Sequence, residues 1–317
     1  MSKNRKKVPD FFIVGAPKCG TTSLQYYLSQ HPEIYFSPIK EPVYFAKDIV
    51  ENAKRCKSGR AYFLDKKYFL RKHPLQMHIA YIEDFNLYLQ LFSYMKEEKV
   101  AGEASAYYLF SSVAAEEIYK FNKDAKIIII LRNPVERAFS HFLMNLRDGI
   151  INNNDFLDEV FSDYEKGKNE CRQNCLEIGL YFNQLQRYFN LFPENNIRVL
   201  IFEKYTKNLP ETCRDLFAFF GVKKDFEVDF SKKLNKALNP KLPWINNKIK
   251  DLRRKINLIF PFKTPELIKK TYNYLFMENE KPLLTKREKE KLLSLFKEDI
   301  LKTQSLLKID FSFWFDI

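Results

Sequence analysis

The residues Gly15-Ala16-Pro17-Lys18-Cys19-Gly20-Thr21-Thr22 lie between a short apolar run, Phe11 to Val14, and a segment with Leu24, Tyr27 and Leu28 at helical spacing. A strand that passes through such a loop into a helix aims backbone N–H groups and the positive end of the helix dipole at one point. That is a site for an anion such as phosphate. Gly15 and Gly20 let the backbone wrap closely, Lys18 adds a point charge, and Thr21 and Thr22 add hydroxyl donors. An ordinary strand-to-helix turn is the competing reading, and a lysine with two threonines at the helix entry favours the anion. In nucleotide-kinase loops the lysine directly follows the second glycine, with a metal-binding Ser or Thr after it. Here Thr21 follows Gly20 and Lys18 sits inside the loop. The expected site therefore needs no metal.

A second group follows the most apolar stretch of the chain, Lys126 to Leu131. Arg132 falls where that strand ends, and Ser140 lies on the helix that Asn133 and Pro134 begin. Arginine offers forked donors to a phosphate, and ligands collect beyond the carboxyl ends of parallel strands. The alternatives are a structural ion pair for Arg132 and a solvated hydroxyl for Ser140. His141 follows directly, but neighbours on a helix point about 100° apart, so it faces elsewhere if Ser140 faces a phosphate. Two carboxylates could take part in proton transfer: Glu41, in Lys40-Glu41-Pro42-Val43-Tyr44-Phe45, and Glu103, in Gly102-Glu103-Ala104-Ser105. Tyr181 and Gln184 could line an acceptor cleft or belong to the core. Cys19 reads as a small loop filler.

These groups need strands and helices to hold them. Phe11–Val14, Ile34–Phe36, Lys126–Leu131 and Ile197–Phe202 read as strands, and Lys99–Glu103 as the end of a strand entering a turn. Helices are expected from Thr21, over Leu180–Phe192 and over Pro210–Phe220 with Gly221 as its stop. Glu136 stands where a capping-box carboxylate belongs, and Thr285 with Glu288 forms such a box for a last helix carrying Leu292, Leu293, Leu295, Phe296, Ile300 and Leu301. Alternating strands and helices without hairpin signals predict an α/β fold, a parallel sheet flanked by helices. One domain over 1–317 is expected, with a basic tail at 1–9, a mobile excursion at 148–177 and a basic, loop-rich segment at 231–284. The aromatic-rich 47–95 stretch is expected to frame a substrate.

The chain has 317 residues, 45% hydrophobic and 29% charged, which is enough for a sizeable core and excludes wholesale disorder. Lys and Arg exceed Asp and Glu by 13, so an anionic partner is expected: a nucleotide, a polyanion, nucleic acid or an acidic membrane. Five cysteines in this length suggest neither a disulfide framework nor a zinc site. They read as reduced thiols in a cytoplasmic protein. The basic N-terminus is followed by too short an apolar run for a secretory signal, and no run reaches the ~20 residues of a membrane helix.

Pro17 to Leu24 resembles the 5′-phosphosulfate loop of sulfotransferases that use 3′-phosphoadenosine 5′-phosphosulfate (PAPS), and Leu131 to Ser140 resembles their 3′-phosphate motif. The Lys40–Phe45 segment is similar to the acidic segment of the carbohydrate branch, typified by heparan sulfate sulfotransferases and bacterial relatives. The resemblance returns at residues 178–221 and at the Asp310–Trp314 ending. It implies a P-loop-like sulfotransferase fold and places the donor on Lys18, Cys19, Gly20, Thr21, Thr22 and Ser23, with Arg132 and Ser140 on the 3′-phosphate. Lys18 would neutralise charge on the bridging oxygen. Glu41 would be the general base, Glu103 a second acidic residue that positions the base or the acceptor, and Tyr181 would contact the acceptor. Lys232 to Lys236 and Lys241 resemble the basic loop that closes over the nucleotide, with Lys236 among its ligands; a solvated charge run is the alternative. Some glycosaminoglycan enzymes carry a lysine after the second glutamate, where this chain has Ala104.

The reaction so implied moves a sulfuryl group from PAPS to a hydroxyl or amine of a carbohydrate or small molecule, without metal. A small-molecule kinase or NTPase is the second reading; the displaced lysine and the lack of a clear metal-binding Asp count against it. A nucleic-acid-binding protein is the third, opposed by dispersed charge and the absence of a known binding module. Glycan, phenol, lipid and peptide tyrosine all remain open as acceptors, as does the oligomeric state.

Overall fold

The computed structural model describes residues 7–56, 63–64, 66–70, 74–151, 153, 155–166, 171, 173–232, 239–240, 277–278 and 282–316. Among the described residues five parallel strands form the main sheet: β1 (Phe11–Gly15), β2 (Ile34–Phe36), β3 (Val100–Ala104), β4 (Lys126–Leu131) and β5 (Ile197–Ile201), in the order β2-β3-β1-β4-β5, and Asn239–Pro240 pairs antiparallel with Met277–Glu278. β1 is the middle strand, with Phe11 in register with Gly102 on one side and Lys126 on the other. All five of its residues are buried, as a strand covered on both faces requires. β4 is also interior, one place from the centre, with Ile127 to Leu131 buried. From β1 the chain builds β2 and β3 on one side and then crosses to β4 and β5 on the other. The resulting crevice at the carboxyl ends of β1, β3 and β4 is where such sheets bind ligands.

Among the described residues the α-helices are α1 (Thr21–Leu28), α2 (Lys47–Arg55), α3 (Phe85–Gln90), α4 (Ala114–Phe121), α5 (Pro134–Arg147), α6 (Phe156–Glu165), α7 (Tyr181–Phe189), α8 (Phe202–Tyr205), α9 (Leu209–Phe220) and α10 (Lys286–Leu307). Gly221 ends α9 in the left-handed conformation, and Thr285 and Glu288 close the expected capping box on α10. At α5 the expectation holds only in part. The Asn133 side chain accepts from the N–H groups of Val135 and Glu136, but its own N–H goes to Glu203 Oε1 at 2.9 Å rather than to Glu136. Glu136 turns instead to Arg132.

The apolar residues that α10 carries divide between two faces. Leu292, Leu293, Phe296 and Ile300 are buried, whereas Leu295 and Leu301 lie on its outer face, exposed by 43% and 45%. Helical period, not hydrophobicity, decides which leucines are covered. Within 148–177 the sequence hides a helix, α6, capped by Asp155 and seated through Phe156 on Phe139 and Phe142 of α5.

The reading of five reduced thiols is also corrected. Cys56, just after α2, is joined to Cys171 in a disulfide across 115 residues, with Cα atoms 5.5 Å apart; Cys19, Cys175 and Cys213 are free and buried. Spacing in the sequence could not show a contact between residues so far apart. The step from thiols to a cytoplasmic protein thereby loses its premise. Among the described residues no helix is long and apolar enough to cross a membrane, and no group of three or more His, Cys, Asp or Glu could hold a metal.

Two outcomes follow from this packing. Thiol titration of the denatured, unreduced protein should find three reactive groups, and five after reduction. In denaturant titrations Leu292→Ala should cost about 2–5 kcal/mol, as for a truncated core leucine, while Leu295→Ala should stay within about 0.5 kcal/mol.

Candidate active site

The loop after β1 is held from three sides. Gly20 adopts φ 88°, and a side chain there would strike the Tyr205 hydroxyl, which donates to the Gly20 carbonyl at 3.2 Å. Lys18 is left-handed too, at φ 69°, and its carbonyl accepts from Arg132 Nη1 at 3.2 Å. Tyr181 is fully buried and donates its hydroxyl to the Arg132 carbonyl at 2.8 Å. The loop, the end of β4 and α7 are thus linked in one chain of hydrogen bonds.

A helix leaves its first N–H groups without intrahelical acceptors, and no side chain caps α1. Gly20 precedes Thr21, Thr22 and Ser23 at this open end, with Thr22 and Ser23 half-buried and Thr21 buried. Lys18 stands half-buried in the same loop. Arg132 lies with its guanidinium 4.8 Å from the centre of the Phe202 ring, one nitrogen on Lys18 and another 3.4 Å from Glu136. Five N–H donors leave it capacity for an oxyanion. Ser140 is half-buried one turn beyond Glu136, on the same row of α5. His141 faces inward, buried, with its Nδ1 3.5 Å from Arg137 Nη1, as the helical spacing requires.

Cys19 turns away from this opening. Its N–H is spent on the Ala16 carbonyl at 3.2 Å, and its thiol lies 4.0 Å from the Tyr181 hydroxyl. Burial pushes that thiol up to about 11, which removes it as a nucleophile near neutral pH. Its place among the donor ligands is therefore corrected to a packing role. Tyr181 is corrected likewise: with no exposed surface it props the donor loop rather than touching an acceptor. Gln184 is buried and donates to the carbonyls of Glu177, Ile178 and Leu180.

Glu41 is not a surface glutamate. Only 6% exposed, it takes a left-handed φ of 64° beyond β2, and its N–H is bonded to the carbonyl of Ala104 at the end of β3. Lys40, also buried, forms an ion pair with Glu41 Oε1. The sequence reading passed over Lys40 as a partner, although the pair stands adjacent in the chain. Glu103 is completely buried and accepts from three hydroxyls: Tyr88 at 2.7 Å and Tyr108 at 3.0 Å on Oε1, and Ser105 at 2.8 Å on Oε2. It therefore has no surface for an acceptor, which corrects that half of its expectation and leaves the positioning of the base. Tyr205, Phe202 and the clamp from Asp299, which accepts from the N–H groups of Tyr181 and Phe182, carried no sequence signal. Lys236 lies outside the described residues; before it, the Lys232 carbonyl accepts from Tyr27 of α1 at 3.5 Å.

A sequence model of the sulfotransferase domain family matches residues 8–278. The chain belongs to the sulfotransferase family. It is 28% identical to the sulfotransferase from Alicyclobacillus acidocaldarius, whose crystal structure superposes with a TM-score of 0.66 over 97% of this chain and 98% of that one. It is also 25% identical over 252 residues to human carbohydrate sulfotransferase 15, covering 68% of this chain and 44% of that protein. To the bifunctional heparan sulfate N-deacetylase/N-sulfotransferase 1 of Caenorhabditis briggsae it is 27% identical over 208 residues, 63% of this chain and 21% of that protein. This sulfotransferase chain thus spans less than half the length of those curated relatives.

Desolvation raises the Glu103 carboxyl from 4.5 to about 7; the three hydroxyls oppose the shift and the Glu41 charge adds to it. The folded state then holds this proton to higher pH than the unfolded chain. Its stabilising contribution is complete below pH 4.5 and is lost as pH rises towards 7. Between pH 4.5 and 8 the unfolding free energy of the wild type should fall by about 3 kcal/mol relative to Glu103→Gln, which denaturant titrations over that range will measure.

Proposed function

We propose that this sulfotransferase moves a sulfuryl group from PAPS to a hydroxyl or amine of a carbohydrate acceptor. The observation that carries the reading is the uncapped N-terminus of α1, with Lys18 in its loop and Arg132 bridging from β4. Gly20, Thr21, Thr22 and Ser23 would offer N–H groups and hydroxyls to the 5′-phosphosulfate. Arg132, with Ser140 along the same face of α5, would take the 3′-phosphate. Lys236 would add a further charge to the nucleotide. The set of donors is composed of N–H, O–H and cationic groups, which suits a polyanion and calls for no metal.

Glu41 would accept the acceptor's proton as its oxygen or nitrogen attacks sulfur in line. The new bond to sulfur forms as the bond to the bridging oxygen breaks, and the electron pair leaves with the 3′,5′-bisphosphate. Lys18 stabilises that developing charge. Glu41 Oε1 carries the Lys40 ion pair, and a carboxylate has a second oxygen for the proton. The carbohydrate acceptor is supported by the relatives named above and by the charge excess of 13.

Calorimetric titration with 3′,5′-adenosine bisphosphate should show binding that persists in EDTA, exceeds that of 5′-AMP by a factor of about 10 or more, and weakens by about 10- to 100-fold in Arg132→Ala, as for loss of a charged hydrogen bond. Glu41→Gln should keep this binding and lose sulfate transfer from labelled PAPS to desulfated heparin. Equal binding of 5′-AMP would defeat the donor assignment, and full activity of Glu41→Gln would defeat the base.

A further inference from the structure

The hydroxyls that reach Glu103 do a second thing. Ser105 Oγ, while donating to Glu103 Oε2, accepts from the backbone N–H of Val43 at 3.3 Å. The Tyr108 hydroxyl, while donating to Glu103 Oε1, accepts from the backbone N–H of Phe45 at 3.3 Å. Val43 and Phe45 belong to the turn that follows Glu41, and Val43, like Glu41, is left-handed, at φ 55°. A β-branched residue in that conformation is costly and persists only where its surroundings enforce it.

We propose that Glu103 is a positioning residue for the candidate base: as an anion it orients the Ser105 and Tyr108 hydroxyls so that their lone pairs hold the Val43 and Phe45 N–H groups, and with them the segment that presents Glu41. An ionised carboxylate is acceptor-only, so both hydroxyl protons must point at it and both oxygens are left to accept from the loop. A protonated carboxyl donates one hydrogen bond, so one of the three hydroxyls that donate to it must turn, and the fixed orientation of the two that hold the loop is lost. Burial of the whole network makes each bond consequential.

Protonation of Glu103 close to neutral pH makes the arrangement a pH-dependent one. The titratable and charged groups around it are Tyr88 from α3, Tyr108 with Ser105 from the turn after β3, Glu41 with its partner Lys40 and Tyr44 from the strained segment, and Tyr188 from α7. The opposed residue on β1 is Phe12, which does not titrate. Each tyrosine has its hydroxyl pushed upward by burial, so Glu103 is the group of this network that changes charge near pH 7.

The inference rests on the reading of Glu41 as base, yet its test needs neither donor nor acceptor. Amide hydrogen exchange, corrected for the intrinsic pH dependence, is followed at Val43, Phe45 and, as a reference, Ile128 of β4. In the wild type, protection at Val43 and Phe45 should fall at least tenfold as pH drops from 8 to 6, with a midpoint near 7, while Ile128 is unchanged. Glu103→Gln should show low protection at both amides at every pH, again with Ile128 unchanged. Ser105→Ala should release Val43 alone and Tyr108→Phe should release Phe45 alone, which serves if the glutamine variant does not fold. Protection independent of pH in the wild type, or a uniform loss at all three amides in the variants, would overturn the proposal. Glu41→Gln should leave the exchange pattern intact. Loss of transfer in that variant with wild-type exchange in Glu103→Gln would keep the base and reject the positioning role.

Discussion

The first turn of α1 ends in N–H groups that no side chain caps, and such groups are tolerated only where water or a ligand can reach them. Much of the surrounding structure keeps that turn open and in place. Gly20 must be left-handed to bring the loop round, and Tyr205 grips its carbonyl. Arg132 reaches across from β4 to the Lys18 carbonyl, and Tyr181 fixes Arg132 by its own carbonyl from the far side. Asp299 on α10 in turn accepts from the N–H groups of Tyr181 and Phe182 at the start of α7. A helix late in the chain thereby steadies a loop near its beginning.

The N-terminus of α5 is braced in a comparable way. Asn133 caps the helix with its side-chain oxygen, gives its backbone N–H to Glu203, and gives its side-chain nitrogen to the carbonyl of Trp314 at 3.0 Å. Trp314 stacks on Phe311 at 4.0 Å and reaches Glu203 through its indole N–H. Arg132, directly before Asn133, inherits this rigidity. The Asp310–Trp314 ending is thus part of the wall behind Arg132, which gives a physical reason for a resemblance at that short segment.

The carboxylates divide the work by environment. Glu41 is held against Lys40, whereas Glu103 meets only hydroxyls and pays for its burial with a raised proton affinity. The two lie together at the carboxyl ends of β2 and β3 because Glu41 bonds to Ala104, the residue after Glu103. Their separation by 62 positions in the sequence disappears through the pairing of β2 with β3.

What the sequence determined by itself is whatever local pattern controls: the five strands, the loop after β1, the Asn133, Gly221 and Thr285 signals at helix ends, and the motifs that carry the family. These depend on residues within a few positions of one another. Where a residue's role depends on a distant neighbour, the local pattern fell silent or misled. Cys56 and Cys171 read as separate thiols, and Tyr181 and Glu103 read as candidates for acceptor contact. Only the tertiary structure decided that Glu41 is buried beside Lys40, that Arg132 is tied to Lys18, and that Glu203 rather than Glu136 takes the Asn133 N–H. The physical reason is that burial and hydrogen-bond partnership are set by which elements the sheet order brings together, and that order is a property of the whole chain.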